Sequence, residues 1–315
     1  MKIGIVGAGA MGSLFGARLV EASAADVVLV DVNKAHIDAI REQGLTFEDG
    51  PDTRRVSLSA TTSPEEAGKV DFIILFCKYP DSRQAIRSAE VMLTDETVVW
   101  TPQNGIGNVD IITEVVPETR IAKGLTSSTS MQTGAGKIRT NFQGETETFI
   151  WPVAGGENAV VAEAARVLTR AGLPTYLADN IDYRIWRKLC VNTALTTTTA
   201  AINTPIGSVG ESEAGQELMR RIVEEVVAVA NAKGIPLTFE DGYGYVEELR
   251  HKAFEHIGST TGDMHNKKLT EIDAMNGAVV REGRKVGVPT PVNETITQVL
   301  HLLEATRSNR LPIAI

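Results

Sequence analysis

The sequence predicts an α/β protein in two parts, an N-terminal doubly wound parallel sheet followed by an all-helical C-terminal domain. Three observations predict it. The chain opens MKIGIVGAGAMGSLFGARLV, an apolar strand, a glycine-rich turn and a helix-period stretch in direct succession. Short apolar segments then alternate with helix-period segments, the pattern of a sheet joined by crossover helices. From Asn180 onward apolar residues recur at helical spacing almost throughout. The expected domains are 1–178 and 179–315.

The first strand, Lys2–Val6, lacks the long apolar centre of a secretory signal and runs instead into Gly7, Gly9 and Gly12. G-x-G-x-x-G between a strand and a helix is the Rossmann dinucleotide fingerprint. Gly7 permits the tight turn, Gly9 lets backbone approach a pyrophosphate, and Gly12 lets helix and strand pack closely. Gly7, Gly9, Ala10, Met11 and Gly12 are therefore the expected cofactor turn, with the helix N-terminus facing the anion. The plainer alternative is a tight turn of accidental spacing. A second strand, Asp26–Val30, ends on Asp31, about 20 residues past the glycines, where a carboxylate holds a ribose 2′-hydroxyl and repels a 2′-phosphate. Asp31 thus favours NAD(H) over NADP(H), although Asn33 and Lys34 stand close by as groups able to accept a phosphate.

Lys34–Gln43 reads as a helix, and Leu45–Glu48 with Arg54–Leu58 as a hairpin around Asp49-Gly50. Asp71–Phe76 is wholly apolar after its first residue, so both its faces are expected to be buried. A helix beginning near Asp81 and strands Val98–Trp100 and Arg120–Leu125 continue the sheet. Thr126–Trp151, rich in Thr, Gly and Gln, reads as antiparallel strands and turns at the sheet edge. A helix over Ala159–Ala171 and a strand over Thr175–Leu177 close this half. Candidate helices then run Ile181–Ala200, Gly215–Lys233, Gly242–His256, Lys267–Val286 and Val292–Thr306. This half is expected to supply substrate contacts and a dimer surface, so a homodimer is the expected assembly.

Composition narrows the function. A chain of 315 residues with 43% hydrophobic content has ample core, and its formal net charge of −9 without a basic patch argues against nucleic acid. No apolar run approaches a membrane span. Cys77 and Cys190 are the only cysteines, which suits a reducing cytoplasm, and the five histidines lack ligand spacing, so no metal is expected.

Three further stretches carry chemistry. FCKYPDS puts Lys78 at the carboxyl end of the buried strand, where open α/β sheets present ligands, and TPQNGIGN puts Asn104 at the next strand end. Either residue alone reads equally as ordinary surface. In DNIDYRIWRKLCVNTAL, Lys188 and Asn192 are i,i+4 neighbours at the border of an apolar stripe. A lone lysine there usually snorkels to solvent; beside an amide after the domain junction it can enter the cleft. GSTTGDMHNKKLTEIDAMNG offers Ser259 and Asp263 as anion-handling or capping residues. It also places Glu271 in a helix whose Leu269, Ile272 and Met275 face a core, where its plainer reading is a solvated charge.

GAGAMG, FCKYPDS, QNGIGN, WRKLCVN, NTPIGSV and TEIDAMNG, in that order over nearly the whole chain, resemble the ketopantoate reductase family. The resemblance implies a Rossmann domain followed by a helical domain. It also implies reduction of a 2-keto acid, typically 2-dehydropantoate to (R)-pantoate in pantothenate biosynthesis, with NADPH as the usual donor. It makes Lys188 the general acid and places Asn104 and Lys78 near nicotinamide and substrate. Asn192 becomes a substrate partner, Ser259 a carboxylate contact and Glu271 a hydroxyl contact. The chemistry is consistent, because hydride attack on a ketone builds oxygen charge that needs a positioned donor. An ammonium of ordinary pKa near 10.4 is charged at neutral pH, and a nearby carboxylate would keep it so.

Two departures shift the expectation. Ala194-Leu195-Thr196-Thr197-Thr198 and Ile206 stand where the family carries further asparagines, which makes the pocket more apolar. A related branch of D-2-hydroxyacid dehydrogenases uses NAD on branched or aromatic 2-keto acids, and Asp31 fits that branch. A third possibility is a non-catalytic sensor of nicotinamide nucleotide.

Overall fold

The computed structural model describes residues 1–140 and 146–309. The chain divides into two compact units, Met1–Gln103 with Asn108–Ile181, and Asn104–Gly107 with Asp182–Ile315.

The described residues of the first unit form twelve strands. They are β1 (Lys2–Val6), β2 (Asp26–Val30), β3 (Leu45–Asp49), β4 (Asp52–Val56), β5 (Ser59–Thr61), β6 (Phe72–Leu75), β7 (Val98–Thr101), β8 (Ile121–Thr126), β9 (Met131–Gly134), β10 (Lys137–Thr140), β11 (Thr148–Pro152) and β12 (Thr175–Leu177). Eight form one sheet in the order β12-β11-β8-β7-β6-β1-β2-β5. β1 lies between β2 and β6, parallel to both, with Ile3 opposite Val27 on one side and Phe72 on the other. The chain winds outward from β1 to β2 and β5, then crosses back to β6, β7 and β8. The reversal between β1 and β6 is the switch point at whose carboxyl edge open α/β sheets bind ligands. All four residues of β6 are buried, which explains its unbroken apolar run. Phe15, Phe76 and Trp100 fill one face, with the Phe15 and Phe76 rings edge-on at 4.8 Å.

The Thr126–Trp151 stretch departs from its expected place. β9 and β10 leave the main sheet for a four-stranded one, β4-β3-β10-β9, where β10 runs parallel to β3 with Lys137 opposite Thr46. Ile138 and Thr140 are buried while Lys137 and Arg139 are exposed, so one face of β10 joins the core beside Phe47. β11 does pair antiparallel with β8, but β12 covers it, so it is not the edge. Residues 141–145 of that stretch lie outside the described residues.

In the second unit, helices span Ile181–Val191, Thr197–Ile202, Glu213–Ala232, Phe239–Lys252, Ser259–His265, Asn276–Val286 and Pro291–Ala305 (Ile181 itself belongs to the first unit). Trp186, Leu189, Leu195, Ile222, Val226 and Val279 are among the side chains that close its core. No strand occurs among the described residues of this unit.

Two expected helices are corrected. Ile181–Ala200 is not one α-helix, because a π turn over Asn192–Thr196 interrupts it. Lys267–Val286 is helical only from Asn276, after a 3-10 turn at Ile272–Ala274. Lys267 takes a left-handed φ of 55°, and side chains occupy the amides that a helix would use. The Thr270 N–H donates to Glu304 at 2.7 Å and the Ile272 N–H to the Thr270 hydroxyl at 3.3 Å. Leu269, expected in a core, is 57% exposed.

Candidate functional site

In the first unit the glycine turn fits a dinucleotide. Gly7 has a φ of +96°, and a Cβ there would lie 2.4 Å from the Cys77 nitrogen. A Cβ on Gly12 would lie 2.0 Å from the Gly7 carbonyl oxygen, so strand and helix meet without side chains. Gly9 differs: nothing lies within 4 Å of its Cβ direction. That open space stands at the N-terminus of the Ala10–Glu21 helix, whose first turn carries no acidic residue and no side-chain cap. Ala10 and Met11 form that first turn, leaving backbone as the means of holding an anion.

Asp31 follows β2, and its carboxylate accepts the Asn33 N–H at 2.8 Å. Asn33 caps the Lys34–Gln43 helix by accepting the His36 N–H at 3.2 Å, and Lys34 pairs with Asp38 at 2.5 Å. Both phosphate-accepting candidates therefore have local partners.

Behind the turn sits buried His36. Its Nδ1 accepts the Gly136 N–H at 3.0 Å, which leaves the proton on Nε2, 3.1 Å from the Ser13 hydroxyl. Ser13 in turn donates to the Ala8 carbonyl at 2.7 Å, inside the turn itself. Burial holds the His36 pKa below its ordinary value against the attraction of Asp31, keeping the ring neutral.

Lys78 is half-buried just after β6 and starts the Tyr79–Asp81 turn. Beside it is Gln103, whose role the sequence reading missed. Its Nε2 donates to the Cys77 carbonyl at 2.6 Å and the Ser82 hydroxyl at 2.7 Å, while its Oε1 accepts from Thr101 at 2.9 Å. One buried amide thus ties the loop after β6 to the end of β7. Its place directly before Asn104 was the available signal.

The second unit gathers Lys188, Asn104 and Glu271. Lys188 stands in the last turn of Ile181–Val191 and donates from Nζ to Asn104 Oδ1 at 3.1 Å. The Asn104–Gly107 segment packs here because the Ile106 N–H donates to the Ala274 carbonyl at 2.9 Å, and a Cβ on Gly105 would lie 2.0 Å from that oxygen. Glu271 is 4% exposed and precedes the 3-10 turn, so it is neither the solvated charge nor the helical residue considered from sequence. Burial pushes the Lys188 ammonium down from 10.5 to about 8, and Glu271 opposes the shift. Desolvation wins over the carboxylate, yet at pH 7 charged lysine still outnumbers neutral lysine about ten to one. A donor of this pKa can release its proton near neutrality, as general acid catalysis favours.

Asn192 opens the π turn and is 7% exposed. Ser259 is exposed as the first residue of its helix, and Asp263, one turn on, is buried. Gly258, next to Ser259, lies against Thr196 of the π turn, with a Cβ position 3.4 Å from the Thr196 backbone.

Residues 3–151 match the family described as Ketopantoate reductase PanE/ApbA, and residues 180–304 match its C-terminal counterpart. The chain belongs to the ketopantoate reductase family. This makes it an oxidoreductase of the nicotinamide-dependent, 2-keto acid class. A 2-dehydropantoate 2-reductase of Streptococcus pyogenes serotype M18 is 34% identical, over 97% of this chain and 98% of its own. A ketopantoate reductase family structure from Ralstonia eutropha JMP134 superimposes with TM-score 0.89 at 28% identity, covering 98% of this chain and 100% of its own. D-mandelate dehydrogenase with NADH and anilino(oxo)acetate superimposes with TM-score 0.93 at 31% identity, covering 98% of this chain and 100% of its own. Among the described residues of this family member, no helix is long and apolar enough to cross a membrane, and no His, Cys, Asp and Glu group is arranged to hold a metal ion.

Proposed function

We propose that this protein reduces 2-dehydropantoate to (R)-pantoate with NADH as donor. The observation that carries the reading is the Lys188 ammonium, hydrogen-bonded to Asn104 and held beside buried Glu271 with a pKa near 8. Held at the Gly7–Gly12 turn and by Asp31, a nicotinamide cofactor would supply the hydride that the keto carbon accepts. Lys188 supplies the other half of the balance: it stabilises the growing oxygen charge and gives that oxygen a proton, so ketone, hydride and proton become the alcohol. Asn104 orients the ammonium, and Glu271 keeps it charged while accepting from a substrate hydroxyl. Asn192 and Ser259 bind the substrate's polar end, with Asp263 and Lys78 as further contacts. Asp31 takes the adenosine ribose and disfavours a 2′-phosphate.

A second reading is reduction of branched or aromatic 2-keto acids. It is supported by the likeness to D-mandelate dehydrogenase and by the buried apolar side chains of Leu195 and Ile206. Following NADH oxidation with 2-dehydropantoate and a panel of apolar 2-keto acids separates the two. Greater kcat/KM on 2-dehydropantoate supports the first reading, and greater kcat/KM on apolar acids supports the second. Tight NADH binding without turnover of any acid would overturn both in favour of a nucleotide sensor.

A further inference from the structure

We propose that Asn276 is a positioning residue for the Lys188 site, the end of a buried amide relay that holds the π turn over Asn192–Thr196 in register. The inference rests on the functional reading above, which gives Asn192, Asn104 and Glu271 their roles.

The relay begins at Glu225, on the Glu213–Ala232 helix. Its carboxylate accepts the N–H groups of Val292 and Asn293 at 2.8 and 2.9 Å, at the N-terminus of the Pro291–Ala305 helix. It also accepts Asn293 Nδ2 at 2.7 Å. Asn293 Oδ1 then accepts Asn276 Nδ2 at 3.0 Å, and the same Nδ2 donates to the Thr193 carbonyl at 3.3 Å, inside the π turn. Both asparagines are 0% exposed. The orientation is fixed: a flipped Asn276 would press its oxygen against two other oxygens.

Widening a helix to a π turn disturbs the pairing of its carbonyls, and side chains take up the slack. The threonine run does this from within, Thr196 donating to the Asn192 carbonyl and Thr197 to the Thr193 carbonyl, each at 2.8 Å. Asn276 is a donor that reaches the turn from another element. It stands at the end of the segment that begins with Glu271 and whose Ala274 carbonyl anchors the Asn104 loop. One side chain therefore fastens the Glu271 and Asn104 supports to the helix that carries Lys188 and Asn192. Asn276 Oδ1 is buried without a hydrogen-bond partner.

The test compares wild type with Asn276→Ala and Asn293→Ala. Expected for both are a fall of about tenfold or more in kcat/KM for the keto acid, NADH affinity by fluorescence titration within about twofold, and a displaced basic limb of the pH profile. Amide exchange across residues 192–198 should also quicken. A merely structural brace would lower Tm and leave kcat/KM and the pH limb unchanged, which overturns the proposal. If Asn276→Ala does not fold, Asn293→Ala decides by the same readings. If the wild type reduces no 2-keto acid, the functional reading fails by itself. Exchange across 192–198 then decides the relay: faster exchange supports it and unchanged exchange overturns it.

Discussion

The Lys188 ammonium donates to Asn104 Oδ1 at 3.1 Å across 84 residues of sequence. Asn104 accepts without adding charge, so it fixes the direction of the amine and leaves the pKa to burial and Glu271. The pH dependence of keto acid reduction follows. With Lys188 as the proposed proton donor, kcat/KM should fall as pH rises through about 8. Stability moves oppositely. The folded pKa is below the unfolded one, so the unfolded chain holds the extra proton between about 8 and 10.5, and this group's contribution to stability rises with pH there. Loss of rate above pH 8 should therefore come without a loss of stability from this group. Glu271→Gln removes the raising influence and should shift the limb to lower pH. A limb that does not move would separate Glu271 from Lys188.

Gly9→Ala separates cofactor binding from folding. The new methyl meets nothing within 4 Å and the φ of −61° suits alanine, so Tm should hold. NADH affinity should fall by about tenfold or more, because the methyl occupies the backbone approach to a pyrophosphate. Gly12→Ala should instead lower Tm, since its methyl would lie 2.0 Å from the Gly7 oxygen. Unimpaired NADH binding by the Gly9 variant would remove the turn from the cofactor site.

Asp31→Ser should move cofactor choice toward NADPH. The wild type is expected to show greater kcat/KM with NADH, and the variant should lose NADH efficiency while gaining with NADPH. Greater wild-type efficiency with NADPH would contradict the role given to Asp31.

Gln103→Glu replaces a buried donor with an acceptor facing the Cys77 carbonyl. Leaving that carbonyl and the Ser82 hydroxyl without their donor should cost about 1–3 kcal/mol, read as a lowered urea midpoint. An unchanged midpoint would show that the loop after β6 does not depend on this amide.

The sheet was legible because its signals are local. The unbroken apolar run of β6 and the helix-period segment Lys34–Gln43 both predict what is found. Pairings between distant segments were not: nothing local in Lys137–Thr140 announces β3 as its partner. Helical spacing misled at Leu269, which faces solvent, while Ile272 and Met275 do face the core, although from around a 3-10 turn rather than from the expected helix. Lys188 and Asn104 were legible as residue types at strand and helix ends. That the Asn104 loop packs on Ala274 depends on a backbone bond and a glycine, which composition and period do not encode. The π turn left one trace, the run Thr196–Thr199, whose first two hydroxyls donate to carbonyls four residues back in the turn.

The most direct test of the Lys188 assignment is single-turnover reduction of the keto acid by Lys188→Ala at saturating NADH. The account predicts a rate lower by about a hundredfold or more, with NADH affinity unchanged, as expected on removing a general acid. A rate near that of the wild type would contradict it.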